Sequence, residues 1–323
     1  MHGWSRFFVF AALFVIISGA ASTAFGHEAP SQQEADQQIA TGEQADRSYD
    51  RLGVEEPTTR ARAGLVAGQT FHGFVLGMQA CIMVECDGPR AWTSALTLGT
   101  GAGLGGSLLA TQQQQVTPGM ARAVNHGALW GGVLSFLGAA ALELEVGPAV
   151  GTMMASQLFG VAAGYSLWEL LGPTSGDVLL TTLGAVTAMF YYPMITEGVL
   201  DLRQDDGPLF TGMALSAVAG GVGTAFVARQ FPMSTGRVSL IGAGGLLGGL
   251  AGIAVPVMIA GDQLGPEGAM AGIIVGNLAG YVTAGYLTRD WDDEEEFQPR
   301  SVGVTVEPTP EFDGMVGSVT GRW

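Results

Sequence analysis

The sequence contains no lysine, and all 13 of its basic residues are arginines. Charged residues of either sign make up only 13% of the chain, about half the share found in an ordinary globular domain. No basic patch is present and the formal net charge is −16, which argues against nucleic acid as a partner. The two cysteines and four histidines form no cluster, so we predict no zinc site and no other metal or cofactor.

Glycine and apolar residues are what the chain has in excess. It carries 51 glycines, 48% hydrophobic residues and a mean hydropathy of +0.34, a composition typical of a membrane protein. The glycines follow no Gly-X-Y period, which excludes collagen. Acidic residues gather outside the apolar region, with eight in residues 27–59 and nine in residues 290–323.

The first 26 residues have the pattern of a signal peptide. Arg6 precedes an apolar run from Phe7 to Ile17, and small residues lead to Gly26, with cleavage predicted before His27. The alternative is an uncleaved anchor, but the run is shorter than the roughly 20 residues of a membrane span. Residues 27–59 are acidic and Gln-rich, and we interpret them as a linker.

Between residues 60 and 289 the chain divides into eight apolar stretches, each long enough for one bilayer crossing. They lie at 63–84, 92–111, 119–142, 148–168, 175–196, 209–228, 236–261 and 268–287. Proline and glycine between them predict helix ends. Residues 237–261 show neither the alternation nor the turn signals of barrel strands. The sequence therefore predicts an all-α membrane domain.

Glycines recur at four-residue spacing on most of these stretches, which predicts glycine-zipper packing between helix backbones. The pattern is clearest at Gly268, Gly272, Gly276 and Gly280, at Gly127 and Gly131, at Gly160 and Gly164, and at Gly244 and Gly248.

Small residues also repeat at a longer period. Gly119, Gly176 and Gly236 follow one another at intervals of 57 and 60 residues, with small residues at matching distances before and after each. The interval holds two helices, so we predict four repeated helical hairpins.

The C-terminal tail, residues 290–323, begins with an acidic run and then alternates apolar residues on both sides of a Pro/Asp/Gly break. This pattern predicts a short β-hairpin. The terminal Trp323 after an alternating strand resembles the C-terminal signal of bacterial outer-membrane proteins, although one hairpin cannot close a barrel.

Arginine placement conflicts with an ordinary inner-membrane topology. A cleaved signal and eight crossings would put six arginines on the outer side and only Arg90 and Arg203 on the cytoplasmic side. The usual bias is the opposite. An odd number of spans would remove the conflict, and so would location in the outer membrane, which we favour over the inner membrane.

Two apparent catalytic or cofactor motifs fail in their context. The GAGLGG run at 101–106 matches a dinucleotide fingerprint, but that motif requires a preceding strand, and here it lies within an apolar helix. His126 and Ser175 resemble the pair in rhomboid-type intramembrane proteases, but their order is reversed, Pro173 replaces the glycine two residues before the serine, and no glycine lies three residues after His126. We therefore predict no catalytic residue and no enzyme.

Polar residues within the apolar stretches are the remaining candidates. His72 and His126 are ionisable and so are functional suspects, but we favour the simpler interpretation of a neutral histidine that is hydrogen-bonded between helices. We interpret the amides as interhelical hydrogen-bond partners; these are Gln69, Gln79, Asn125, Gln157 and Asn277. Cys81 and Cys86 are either a local disulfide or two free thiols.

Runs such as TPGMARAVNHGALWGG and LIGAGGLLGGLAG make residues 60–323 resemble glycine-rich exported membrane proteins of myxobacterial type. The resemblance implies export and helical packing, and it carries over no activity and no functional residue.

Three functions agree with these patterns. The first is a non-enzymatic envelope membrane protein, a structural or self-associating bundle whose partners are the lipid bilayer and further copies of itself. The second is a channel or transporter, since repeated hairpins suit transporters. The third is a soluble periplasmic helical bundle.

Overall fold

A computed structural model describes residues 55–202, 204–261 and 264–292, together with the backbone of 303–308 and 315–320. The helices and the two strands fall in separate compact units. The predicted signal peptide and residues 27–54 of the predicted linker lie outside the described residues. The helical unit is therefore where the sequence predictions can be compared with the structure.

Eight α-helices make up the helical unit, as predicted. They are α1 Thr59–Met83, α2 Gly88–Ala110, α3 Pro118–Ala141, α4 Val146–Leu171, α5 Ser175–Pro193, α6 Asp206–Gln230, α7 Thr235–Ala260 and α8 Pro266–Leu287. After Pro193 the chain continues as a π-helical segment, Met194–Val199, and proline is a usual cause of such a break. Each boundary lies within four residues of the predicted one.

Six of these helices are long and apolar enough to cross a membrane, namely α1, α4, α5 with its π-helical extension, α6, α7 and α8. The prediction was eight. The two that fall short are α2, which is rich in glycine, serine and threonine, and α3, which contains Arg122, Asn125 and His126. Six such helices indicate a membrane protein.

Hydroxyl side chains cap the odd-numbered helices in the same way. Thr58, Thr117, Thr174 and Ser234 each accept a hydrogen bond from the backbone N–H three residues later. This is the usual N-cap arrangement. In α5 the bond is reciprocated, because the Asp177 carboxylate accepts from the Thr174 backbone N–H. The four caps recur at intervals close to the predicted period, so every second helix begins with the same type of N-cap.

Consecutive helices form the closest pairs, α1 with α2, α3 with α4, α5 with α6 and α7 with α8. Successive pairs then contact one another, since α1 packs on α3 and α4, α3 on α5 and α6, and α5 on α7. The most buried helix is α3, while α8 has no buried residue.

Large apolar side chains point outward along most of the helices. Phe159 of α4 is 73% exposed, and Met258 and Ile259 of α7 are 84% and 81% exposed. A water-soluble domain buries such side chains, whereas a lipid-facing surface consists of them. The inside of the unit is built mainly from small residues instead.

The two strands are β1 Gly303–Pro308 and β2 Met315–Thr320, paired antiparallel with Val304 opposite Val319.

Candidate functional site

Glycine brings the two helices of each pair into backbone contact. In α3 and α4, a Cβ added at Gly127 would collide with the carbonyl oxygen of Gly160, and one added at Gly164 with that of Ala123. Gly131 likewise lies against the carbonyl oxygen of Ser156. No larger residue fits these positions without moving a backbone.

The same contacts recur in the last pair, where Gly244, Gly248 and Gly252 of α7 meet Gly280, Gly276 and Gly272 of α8. Gly268, the fourth member of the predicted stripe in α8, is different, because a Cβ there would meet the Leu264 side chain instead of α7. Gly272 already lies against Pro256, so the stripe stops at the level of that proline.

Polar side chains form hydrogen bonds between neighbouring helix pairs. At the first junction the Gln69 Nε2 of α1 donates to the Asn125 Oδ1 of α3 at 2.8 Å, and the Asn125 Nδ2 donates to the Gly64 carbonyl at 3.1 Å. The Asn125 amide occupies the space that a side chain at Gly68 would need. These bonds confirm the interhelical role predicted for both amides.

At the second junction His126 Nδ1 of α3 lies 2.6 Å from Thr182 Oγ1 of α5. The Thr182 hydroxyl also donates to the Val178 carbonyl, which leaves its oxygen to accept the N–H of His126. His126 thus bonds α3 to α5.

At the third junction the Tyr191 hydroxyl of α5 donates to the Asn277 Oδ1 of α8 at 2.5 Å. One turn earlier in α5, the Thr187 and Tyr281 hydroxyls are 2.8 Å apart. Tyr191 thus bonds α5 to α8.

Glu55, just before α1, ties the starts of two other helices together. Its carboxylate accepts hydrogen bonds from the Gly119 backbone N–H, the Ser175 backbone N–H at 2.8 Å and the Ser175 hydroxyl at 2.6 Å. Arg122 donates to the Ser175 carbonyl at 3.2 Å, and the Ser175 hydroxyl lies 2.7 Å from that of Thr235. A carboxylate suits the positive end of a helix dipole, and here one carboxylate serves both α3 and α5.

Sequence reasoning missed Glu55, because the residue belongs to the acidic linker and its partners lie 64 and 120 residues away. Ser175 bonds to Glu55 and Thr235, whereas His126 bonds to Thr182, so these hydrogen bonds do not join Ser175 to His126.

The geometry of the described residues was compared with two further sequence predictions, on metal binding and on the nucleotide motif. Within the described ranges no group of three or more His, Cys, Asp or Glu side chains could hold a metal ion. The GAGLGG run lies in the middle of α2, where Gly103 packs against the Gln69 carbonyl and Gly101, Gly105 and Gly106 face open space.

Cys81 and Cys86 form a disulfide with their Cα atoms 5.0 Å apart, at the C-terminal end of α1. The loop that it closes is short, so its entropic stabilisation is about 2 kcal/mol. We expect a Cys81→Ser/Cys86→Ser variant to keep its fold and to melt a few degrees lower. Maleimide labelling of the parent protein only after reduction would verify the bond. Labelling without reduction would contradict it.

The Gln69–Asn125 bond can be measured by a double-mutant cycle with Gln69→Ala and Asn125→Ala. Interhelical hydrogen bonds in membranes contribute about 0.6 kcal/mol on average and up to about 1.7. We expect a coupling free energy in that range from thermal unfolding in detergent. A coupling of zero would show that the two amides stabilise the junction independently.

Comparison with protein-family models finds no match, and comparisons with curated proteins and with solved structures find none either. The geometry of the chain therefore carries the functional argument alone.

Proposed function

We propose that this protein is a non-enzymatic membrane protein of the cell envelope, a structural helical bundle built from four repeated hairpins. One observation carries the proposal. The helices turn large apolar side chains outward and small residues inward, so the unit suits a lipid surround and tight internal packing. Export, through cleavage of residues 1–26, belongs to the same proposal.

The glycine contacts support a zipper within each hairpin, and the recurring N-caps support the fourfold repeat. Glycines at Gly101, Gly105 and Gly223 face open space. Such positions would let a second copy approach, which is the basis for proposing self-association. The C-terminal hairpin completes the proposed architecture and decides nothing about activity.

A channel or transporter is the alternative. It would use polar groups along a path through the bundle. Six of the polar residues between the helices instead bond to one another across the junctions; these are Gln69, Asn125, His126, Thr182, Tyr191 and Asn277. They hold helices together, which favours the structural role.

Reconstitution into lipid vesicles separates the two functions. We expect purified full-length protein to give no ion current and no solute flux under any imposed gradient. A saturable flux that depends on the amount of protein would establish the transport alternative.

Location is tested by separating inner and outer membranes on a density gradient after an alkaline carbonate wash. We expect the protein to resist the wash and to sediment with the outer membrane, where the reversed arginine bias is not a conflict. Recovery with the inner membrane would overturn the outer-membrane location. Release by the wash would favour the soluble periplasmic bundle.

A further inference from the structure

Three almost fully buried side chains have a polar atom without a hydrogen-bond partner among the described residues. The atoms are His72 Nε2, Gln79 Oε1 and Gln157 Oε1, and the residues are 7%, 4% and 4% exposed. Buried polar groups in proteins are nearly always paired, so three unpaired ones require an explanation.

All three face the interface between the first two helix pairs. Ala61 and Leu65 of α1 pack with Met120 of α3 in one apolar cluster. His72 and Gln79 continue that face of α1, at intervals of seven residues from Leu65.

On α4, Gln157 lies one turn before Val161, which packs against the same cluster. The Gln157 side chain also lies against Gly132 of α3. The three unpaired atoms therefore belong to helices that meet at one place.

Their levels along the helices also agree. Gly68 of α1 lies at the same height along the bundle as Asn125 of α3. Seven residues further along both helices, Val75 lies at the height of Gly132, and the Gln157 side chain packs against Gly132. His72 lies three residues to one side of that level and Gln79 four to the other, so the set spans about 10 Å along the axis. Ser135, three residues after Gly132, adds an unpaired buried hydroxyl.

The unpaired atoms of His72, Gln79 and Gln157 are all hydrogen-bond acceptors. His72 Nδ1 lies 2.8 Å from the Gly68 carbonyl oxygen, which can only accept, so Nδ1 carries a hydrogen, and in the neutral ring Nε2 is then a bare acceptor. The amide oxygens of Gln79 and Gln157 accept as well. The Ser135 hydroxyl has a single hydrogen to donate, too few for three acceptors.

A molecule that pairs these atoms would have to be a neutral hydrogen-bond donor. No Asp or Glu lies on α1 or α3, and the single one on α4, Glu169, is twelve residues from Gln157. Nothing there would compensate a bound cation in a low-dielectric interior.

We propose that His72, Gln79, Gln157 and Ser135 form a buried binding site for water. A water molecule can donate two hydrogen bonds and commonly makes about three when buried, so water molecules placed along this interface would pair the acceptors of the set. The site does not depend on the scaffold role, because a transporter with the same helices would hold the same groups.

Water-edited magic-angle-spinning NMR of the full-length, ¹⁵N-labelled protein in lipid bilayers tests the site. We expect magnetisation from water to reach the His72 ring and the Gln79 and Gln157 amides severalfold faster than it reaches the Gln69 amide. Gln69 is the matched control, since it lies on α1 at the same junction and is paired with Asn125. Equal, slow transfer to all four side chains would overturn the site.

A Gln157→Leu variant gives a second readout. Removing one member of a hydrated cluster should reduce the water transfer to His72 and Gln79 and lower the melting temperature. A raised melting temperature with unchanged transfer would identify the unpaired atoms as a packing defect and would sink the proposal.

Discussion

Replacing Gly127 by alanine is expected to destabilise the protein strongly. The new Cβ would collide with the Gly160 carbonyl oxygen and lie 3.1 Å from the Gly164 Cα. The obstacle is backbone, so α3 and α4 must separate. Overpacking of this kind costs about 3 kcal/mol, which lowers the melting temperature by on the order of 10 °C. Thermal unfolding of the purified protein in detergent measures the shift.

Gly138→Ala is the matched control in the same helix, because a Cβ at Gly138 has no atom within 4 Å. Alanine is the better helix former by up to about 1 kcal/mol, so this variant should melt at the same temperature or slightly higher. Equal destabilisation by both substitutions would mean that the glycines serve helix flexibility and not close packing.

Replacing Glu55 by alanine is expected to have the second largest effect. The substitution leaves the Gly119 and Ser175 backbone N–H groups without their acceptor and removes the carboxylate near Arg122. Losing charge-assisted hydrogen bonds that are partly buried costs about 2–3 kcal/mol. Thermal unfolding again measures the loss, and hydrogen exchange at Gly119 and Ser175 should rise with it.

Glu56→Ala is the control for charge alone, since Glu56 is exposed and adjacent. We expect it to change the melting temperature little. Glu55→Gln should fall between the two, because its Oε1 can still accept while its Nε2 faces a donor. If Glu55→Ala behaves like Glu56→Ala, the carboxylate does not join α3 to α5.

The sequence predicts the eight helices and their ends because both depend on local signals. Hydroxyl residues before the odd-numbered helices and proline or glycine near the breaks mark the ends that the structure shows. The sequence predicts eight crossings from the lengths of the apolar stretches, whereas six of the described helices are also apolar enough for one, because polar residues lower the hydropathy of α2 and α3. In α3 the polar residues make interhelical contacts and do not face lipid.

The candidate site was predictable only in part. A glycine face is visible at four-residue spacing, but nothing in the spacing says that Gly276 meets Gly248 or that Gly268 has no partner helix. Gln69 and Asn125 were recognised as bonding residues without their pairing. The contacts of Glu55 and the unpaired atoms of His72, Gln79 and Gln157 arise from the tertiary arrangement, which local patterns do not determine.

The central claim is that the outward apolar faces of these helices contact lipid. Leu247 tests it directly, since it lies at the middle of α7 and is 65% exposed. A nitroxide attached at a Leu247→Cys position in vesicles is predicted to be relaxed strongly by dissolved oxygen and weakly by a water-soluble nickel chelate. Stronger relaxation by the nickel chelate would place this face in water and would contradict the membrane assignment.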